Sequence, residues 1–365
     1  MLDAVEELAR VRECYARRAW GDAYRPLSSA DREAALALED LEAAAVAAYL
    51  AGKDVESEQL WTRAHHESLR VADWGRAARC AFWLGITLMN RSERAKGGGW
   101  LARAQRVLDD SQHDCVERGY LLVPVGLRLY HQGDYPASRA AFTRAEAIGA
   151  ASADTDLVTI ARQCEGRVLL RMGNTAGGLA LLDEAMVAVT AGEVSPIPAG
   201  IVYCSVIEAC QEILDVRRAR EWTAALSEWC AAQPDLVPYR GRCLVHRSEI
   251  MLQQGAWPEA LAEAQRACER LSVPPQPQLA SAFYQRAELL RLRGEFARAE
   301  DAYREASQRG RTPQPGLALL RLYQARIDAA APRSAAPWGR PRIRWRGPSC
   351  FPPTSRSCSP AARCR

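Results

Sequence analysis

A spacing of about 40 residues runs through this chain and constrains its fold more than any single motif does. The positions Gly52, Ser92, Gly133, Gly173, Leu214, Gly255 and Gly294 are separated by 40, 41, 40, 41, 41 and 39 residues. Five residues after each stand Ser57, Gly97, Ser138, Gly178, Ala219, Ala260 and Ala299, all small. Seven before stand Ala45, Gly85, Gly126, Gly166, Ile207, Ser248 and Ala287. Twelve after stand Ala64, Ala104, Ala145, Ala185, Leu226, Ala267 and Ala306. Ala, Gly and Ser make up 109 of the 365 residues, yet they fill 19 of these 21 places. Both exceptions, Ile207 and Leu226, fall in the fifth repeat, where Leu214 also replaces the turn glycine.

These columns describe a helix, a tight turn and a second helix. A small residue midway along a helix lets its neighbour approach closely, and larger side chains fill the remaining space. The larger column lies nine after the turn: Trp61, Leu101, Phe142, Leu182, Thr223, Ala264 and Tyr303. It shares one helical face with the small columns on either side. The turn glycine accepts the left-handed conformation that ends the first helix. Gly133-Asp134-Tyr135, Gly255-Ala256-Trp257-Pro258-Glu259-Ala260 and Gly294-Glu295-Phe296-Ala297-Arg298-Ala299 resemble the tetratricopeptide repeat, weakly matched in repeat five. HEAT-type repeats also have periods near 40 but lack that turn. The resemblance implies an all-α fold, a right-handed α-α superhelix of about seven helix pairs. Residues 1–30 are expected to supply a capping helix (2–20) and linker, 31–328 the solenoid, and 329–365 a disordered tail. Breaks are expected at Pro26 and in 192–198, 233–235, 273–277 and 312–315, where proline interrupts the helical pattern.

Composition narrows the chemistry. Lys53 and Lys96 are the only lysines, followed by Asp54 and Gly97, so no Walker A phosphate loop exists in this sequence. After Asp328 come eight arginines and no acid; removing that +8 from the net +4 leaves the body at −4. A mildly acidic body argues against nucleic acid as its main partner. No apolar run approaches a membrane span, and the start lacks the pattern of a signal peptide. The twelve cysteines form no CxxC pair, which suits buried free thiols in a cytoplasmic protein. No metal, cofactor or catalytic residue is expected. His65-His66-Glu67 is not HExxH and reads as a solvated helix end; His113 has no partner ligands at metal spacing. Asp154-Thr155-Asp156 reads as a helix cap rather than a catalytic pair, and Gly97-Gly98-Gly99 as a close packing site. The tail, with seven prolines in 332–365, has the composition of GC-rich DNA translated out of frame.

In tetratricopeptide arrays the first helices line the concave face. The resemblance therefore implies that positions thirteen, ten, six, three and two before each turn face a groove. The candidate binding residues are Tyr49, Phe82, Asn90, Tyr130, His131, Gln163, Arg167, Arg171, Glu208, Gln211, Arg242, Glu249, Glu288 and Arg291. No lysine stands at these positions, unlike the chaperone-tail clamp of the superfamily. Stretches such as Cys80-Ala-Phe-Trp-Leu-Gly85, Gly98-Gly-Trp-Leu-Ala-Arg-Ala-Gln105 and Gln233-Pro-Asp-Leu-Val-Pro-Tyr-Arg-Gly241 resemble the helical-repeat region of actinobacterial LuxR-type transcription regulators. That resemblance implies a sensing or interaction module, whose DNA-binding helix-turn-helix domain does not appear in this sequence. The expected partner is a protein, a peptide or a small inducer in the groove. A regulator acting through the basic tail is the alternative. An enzyme is the third reading, and it lacks converging acid and base groups.

Overall fold

The computed structural model describes residue 11 and residues 13–326, apart from 34, 35, 92, 113, 234, 274 and 277. The tail from 329, His113 and the turn residue Ser92 lie outside the described residues. Among these residues there are sixteen helices and no strand, only an isolated bridge between Ser272 and Pro275. After α1 (Trp20–Glu33) come seven helix pairs: α2 (Leu38–Leu50) with α3 (Asp54–Arg70), α4 (Trp74–Asn90) with α5 (Arg94–Ser111), and α6 (Glu117–Gln132) with α7 (Tyr135–Ala151). Then follow α8 (Thr155–Arg171) with α9 (Thr175–Thr190), and α10 (Pro196–Glu212) with α11 (Val216–Ala231). The last two pairs are α12 (Arg240–Gln253) with α13 (Trp257–Ser272), and α14 (Leu279–Leu292) with α15 (Phe296–Gln308). The short α16 (Gly316–Tyr323) begins what would be an eighth unit. The fold is an all-α repeat solenoid.

The repeat columns have direct structural meaning. The turn residues Gly52, Gly133, Gly173, Gly255 and Gly294 have φ between 75° and 86°, and Leu214 adopts φ 62° without being glycine. The following Asp134, Asn174 and Asp215 cap the second helices by accepting from the N–H of Ala137, Gly177 and Arg218. Within each pair the residue seven before the turn meets the one five after it. Ser57, Ser138 and Ser248 Oγ donate across this crossing to the carbonyls of Ala45, Gly126 and Ala260, each at 2.8 Å. In repeats two and four two glycines meet: a Cβ on Gly97 would lie 2.7 Å from the Gly85 carbonyl, and one on Gly178 2.8 Å from that of Gly166. Only small residues fit there.

Several expectations need correction. Pro26 does not break a helix but sits inside α1, where Trp20, Ala23, Tyr24 and Leu27 bury one face that outweighs the lost backbone hydrogen bond. The leading helix stops earlier, with a turn at Arg18 (φ 57°) before α1. Pro196 and Pro198 lie in the first turn of α10, where no helical donor is needed. His65 is fully buried, its Nδ1 2.7 Å from the Ala77 carbonyl, and burial pushes its pKa down; only His66 is solvated. Gly97 is required by packing, but a Cβ added at Gly98 or Gly99 would meet nothing within 4 Å. All nine described cysteines are free, and eight of them are buried.

Candidate functional site

The solenoid closes on itself within five repeats. The connection between α11 and α12 returns to the first repeat, where Val237 N donates to the Leu50 carbonyl at 2.9 Å. Trp20 Nε1 donates to Gln233 Oε1 at 3.0 Å, joining residues 213 apart. Gly52 faces the Val237 side chain so closely that a Cβ would lie 2.8 Å away, and Gly200 abuts the Tyr239 ring at 2.3 Å by the same measure. The Val237–Leu50 bond, the Trp20–Gln233 bond and the approach of Val237 to Gly52 thus clasp the ring shut.

The clasp borders a cavity of about 400 Å³ walled by the first helices of repeats one to six and by the connections after repeats five and six. One side is apolar: Phe82, Trp83, Ile86, Val123, Leu127 and Ile160. Phe82, Trp83 and Tyr120 pack edge to face, with ring centroids 5.1 to 6.1 Å apart. The other side carries Gln163, Arg167, Ser205, Glu208 and Arg242. Arg167 Nη1 donates to Ser205 Oγ at 3.0 Å and its guanidinium lies 5.6 Å from the Tyr130 ring centre. Arg242 pairs with Glu208. Burial alone would raise the Glu208 pKa, but Arg242, His246 and Arg167 together hold it below the usual carboxylate range. Asp54 at the edge is raised instead, because burial exceeds the pull of Arg91.

Of the fourteen residues singled out from the sequence, Tyr49, Phe82, Asn90, His131, Gln163, Arg167, Glu208 and Arg242 line this cavity. Tyr130 and Arg171 stand beside it: Arg171 donates to the Tyr130 hydroxyl at 2.8 Å and pairs with Glu212 at 2.7 Å. Gln211 and Glu249 bond each other at 3.1 Å on a separate, shallow surface. Glu288 and Arg291 lie elsewhere altogether. They pair at 2.6 Å, and Glu288 also accepts from Tyr303, so they tie α14 to α15 rather than face the cavity. The aliphatic wall was within reach of the same rule, since Ile86, Val123, Leu127, Ile160 and Ile201 stand six, ten, six, thirteen and thirteen before their turns. Trp83, Pro124, Cys164 and Ser205, nine before their turns, were missed because that position was not counted as inward. Pro238, Tyr239, Gln276 and Gln278 come from connections between repeats, which no helical spacing locates.

A second chamber of about 340 Å³ lies at the N-terminal ends of the first helices, lined by Tyr15, Glu42, Arg79, Tyr120, Asp156 and Ser195 among others. Burial raises the pKa of both Glu42 and Asp156. Asp156 accepts from Ser195 N at 2.8 Å and from its hydroxyl, while Asp154 caps α8 through Leu157 N at 2.9 Å. These carboxylates are engaged in structure. Among the described residues no His, Cys, Asp and Glu group has the arrangement of a metal site, and no helix is long and apolar enough to cross a membrane.

No protein-family model matches this chain, and no curated protein matches it significantly. Solved structures do. A Rap protein complexed with Competence and Sporulation Factor is 12% identical, with 79% of this chain covering 81% of that one at a TM-score of 0.56. The apo form of RapI is 10% identical over 80% of this chain and 82% of its own, at 0.50. A STAND-class signal-transduction ATPase with a tetratricopeptide repeat sensor, from Pyrococcus horikoshii, is 16% identical at 0.46, covering 88% of this chain and 47% of that one. The likeness is one of fold: a tetratricopeptide-like helical-repeat solenoid.

Proposed function

We propose that this chain is a non-enzymatic interaction and ligand-sensing module, related to the repeat region of LuxR-type transcription regulators, that holds its ligand inside the closed ring. The observation that carries the reading is the cavity itself. Six consecutive first helices and the clasp bring an apolar wall to face a charged one, in the size range of small-ligand pockets, roughly 300–1,000 Å³. Its charged lining includes the Arg242–Glu208 pair and the Arg167–Ser205 bond, without a nucleophile beside a base, which suits recognition rather than covalent chemistry. The Rap protein of similar fold was solved with Competence and Sporulation Factor bound, a precedent for a sensing solenoid. The regulator relationship rests on the sequence stretches quoted above, with 31–328 as the binding body and 329–365 as out-of-frame translation.

Panning a random peptide display library on the purified protein tests the reading. Leu127→Trp, which fills the cavity from a half-buried position, serves as the counter-screen. The expected peptides bind the native protein and lose at least tenfold in affinity for the variant, on the order of 1.4 kcal/mol, at unchanged melting temperature. Peptides that bind both proteins alike would move the binding surface outside the ring and overturn the assignment.

A further inference from the structure

The charges around the cavity do not cancel. Arg242 is matched by Glu208, and Arg91 turns to Glu58 and Glu93 at 3.3 and 2.6 Å. Asp54 is pushed toward its neutral form by burial. Two cations remain. Arg128 makes no hydrogen bond or ion pair with any other described residue. Arg167 reaches Glu212 only at 3.4 Å, and its Nε is buried without a partner. Beside it Gln163 is 3% exposed and its Oε1 has no partner either, while its Nε2 lies 2.8 Å from Cys164 Sγ. Buried polar groups in folded proteins are normally satisfied, so the unpaired guanidinium N–H of Arg167, a donor, marks a place that a ligand acceptor completes.

We infer that the cavity binds a small amphipathic oxyanion, an organic acid whose charged end sits at Arg167 and whose hydrocarbon body lies against Phe82, Trp83 and Ile86. The inference rests on the reading of the cavity as the binding space and adds the class of its occupant. A fixed guanidinium fork pairs with carboxylate or phosphate geometry better than with any neutral group. The apolar wall supplies affinity for a chain or ring without directional demands. The volume of about 400 Å³ suits a body of roughly twenty heavy atoms and excludes a folded partner. An organic cation of the same shape would meet Arg167 and Arg128 and be repelled.

The test uses the full chain at pH 7 with decanoate, decyl phosphate, decanol and decylammonium, each below its micellar concentration. Intrinsic tryptophan fluorescence and thermal shift are the readouts. Decanoate or decyl phosphate is expected to bind at least tenfold more tightly than decanol, with decylammonium not bound. The two acids separate a carboxylate preference from a phosphate one. Arg167→Gln is expected to abolish the preference for acid over alcohol, and Arg167→Lys to restore part of it. Leu127→Trp is expected to remove binding of both acids and of decanol. Equal affinity for acid and alcohol, a preference that survives Arg167→Gln, or binding that survives Leu127→Trp would each overturn the proposal. If no acid binds but panned peptides still require an open cavity, the oxyanion is wrong and the interaction module stands; if neither binds, both fall.

Discussion

Repeats one to five and repeats six and seven share the same columns of small residues, yet they build different cores. In the first five, a large cluster of buried side chains wraps the cavity and reaches Cys243 and Ile250 on α12, with two small clusters under α1. Beyond it the apolar contacts divide into two smaller clusters, one around Tyr303 and Leu320, the other around Leu271 and Leu279. The seam between the regions adds polar contacts to this apolar one: α10 and α12 also meet through Glu208 with Arg242 and through Gln211 with Glu249. A solenoid ordinarily couples each repeat only to its neighbours. Closure changes that, because repeat one then also touches the connection after repeat five.

Phe142 and Tyr303 test this difference from the same place in the repeat, nine residues after the turn, and they are 1% and 0% exposed. Phe142→Ala is expected to cost about 3–5 kcal/mol and to speed amide hydrogen exchange throughout α2 to α11 together. Tyr303→Ala should cost a similar amount, but its faster exchange should stay within α12 to α16. Exchange that spreads over the whole chain in both variants would break the distinction between ring and extension.

The seam offers a gentler test through pH. His246 on α12 is buried, which disfavours its charge. The neighbouring Cys204 and Glu249 side chains, the latter with Oε2 3.5 Å from Nδ1, outweigh this and lift the imidazole pKa to about 10. A histidine raised in the folded state contributes stability that is complete below its unfolded value near 6.5 and lost as pH rises through the folded one. The advantage of the native protein over His246→Gln in urea unfolding should therefore shrink between pH 7 and 9, on the order of 1–2 kcal/mol. An advantage independent of pH would mean that the imidazole is neutral and the seam owes nothing to its charge.

Much of the ring was legible before the structure. The small columns had to be small because two helix backbones meet there, and the left-handed turn had to follow each first helix. The closure was not legible. It depends on Gly52 accepting Val237 and on Trp20 reaching Gln233, pairings between distant parts of the chain that a period of 40 residues cannot encode. The site divided in the same way. Residues on helical spacing, such as Phe82, Gln163 and Arg167, fall in the cavity, while Glu288 and Arg291 obey the spacing but lie past the closure, where no facing wall exists. Pro26 and His65 misled for a simpler reason: local preference for a break or for water was outweighed by packing that only the tertiary structure supplies.

The fifth repeat, where ring gives way to extension, permits the finest comparison. Leu214 holds the turn position at φ 62° and is 74% exposed, so its side chain contributes little burial. A left-handed backbone costs an L-residue about 1–2 kcal/mol, whereas glycine adopts it freely. Leu214→Gly should relieve that strain and return roughly 0.5–1 kcal/mol of it through glycine's larger unfolded-state entropy, for a net gain of about 0.5 kcal/mol. Gly173→Ala sits at the same place one repeat earlier, at φ 86° with nothing within 4 Å of its Cβ, and should lose about 1 kcal/mol through the backbone alone. Paired urea titrations with unchanged slope read both effects. Opposite signs would mean that the two turns are equivalent and that Leu214 is a tolerated strain. If Leu214→Gly destabilises instead, the leucine side chain is holding the junction of ring and extension, and the fifth repeat differs from the others by more than its sequence.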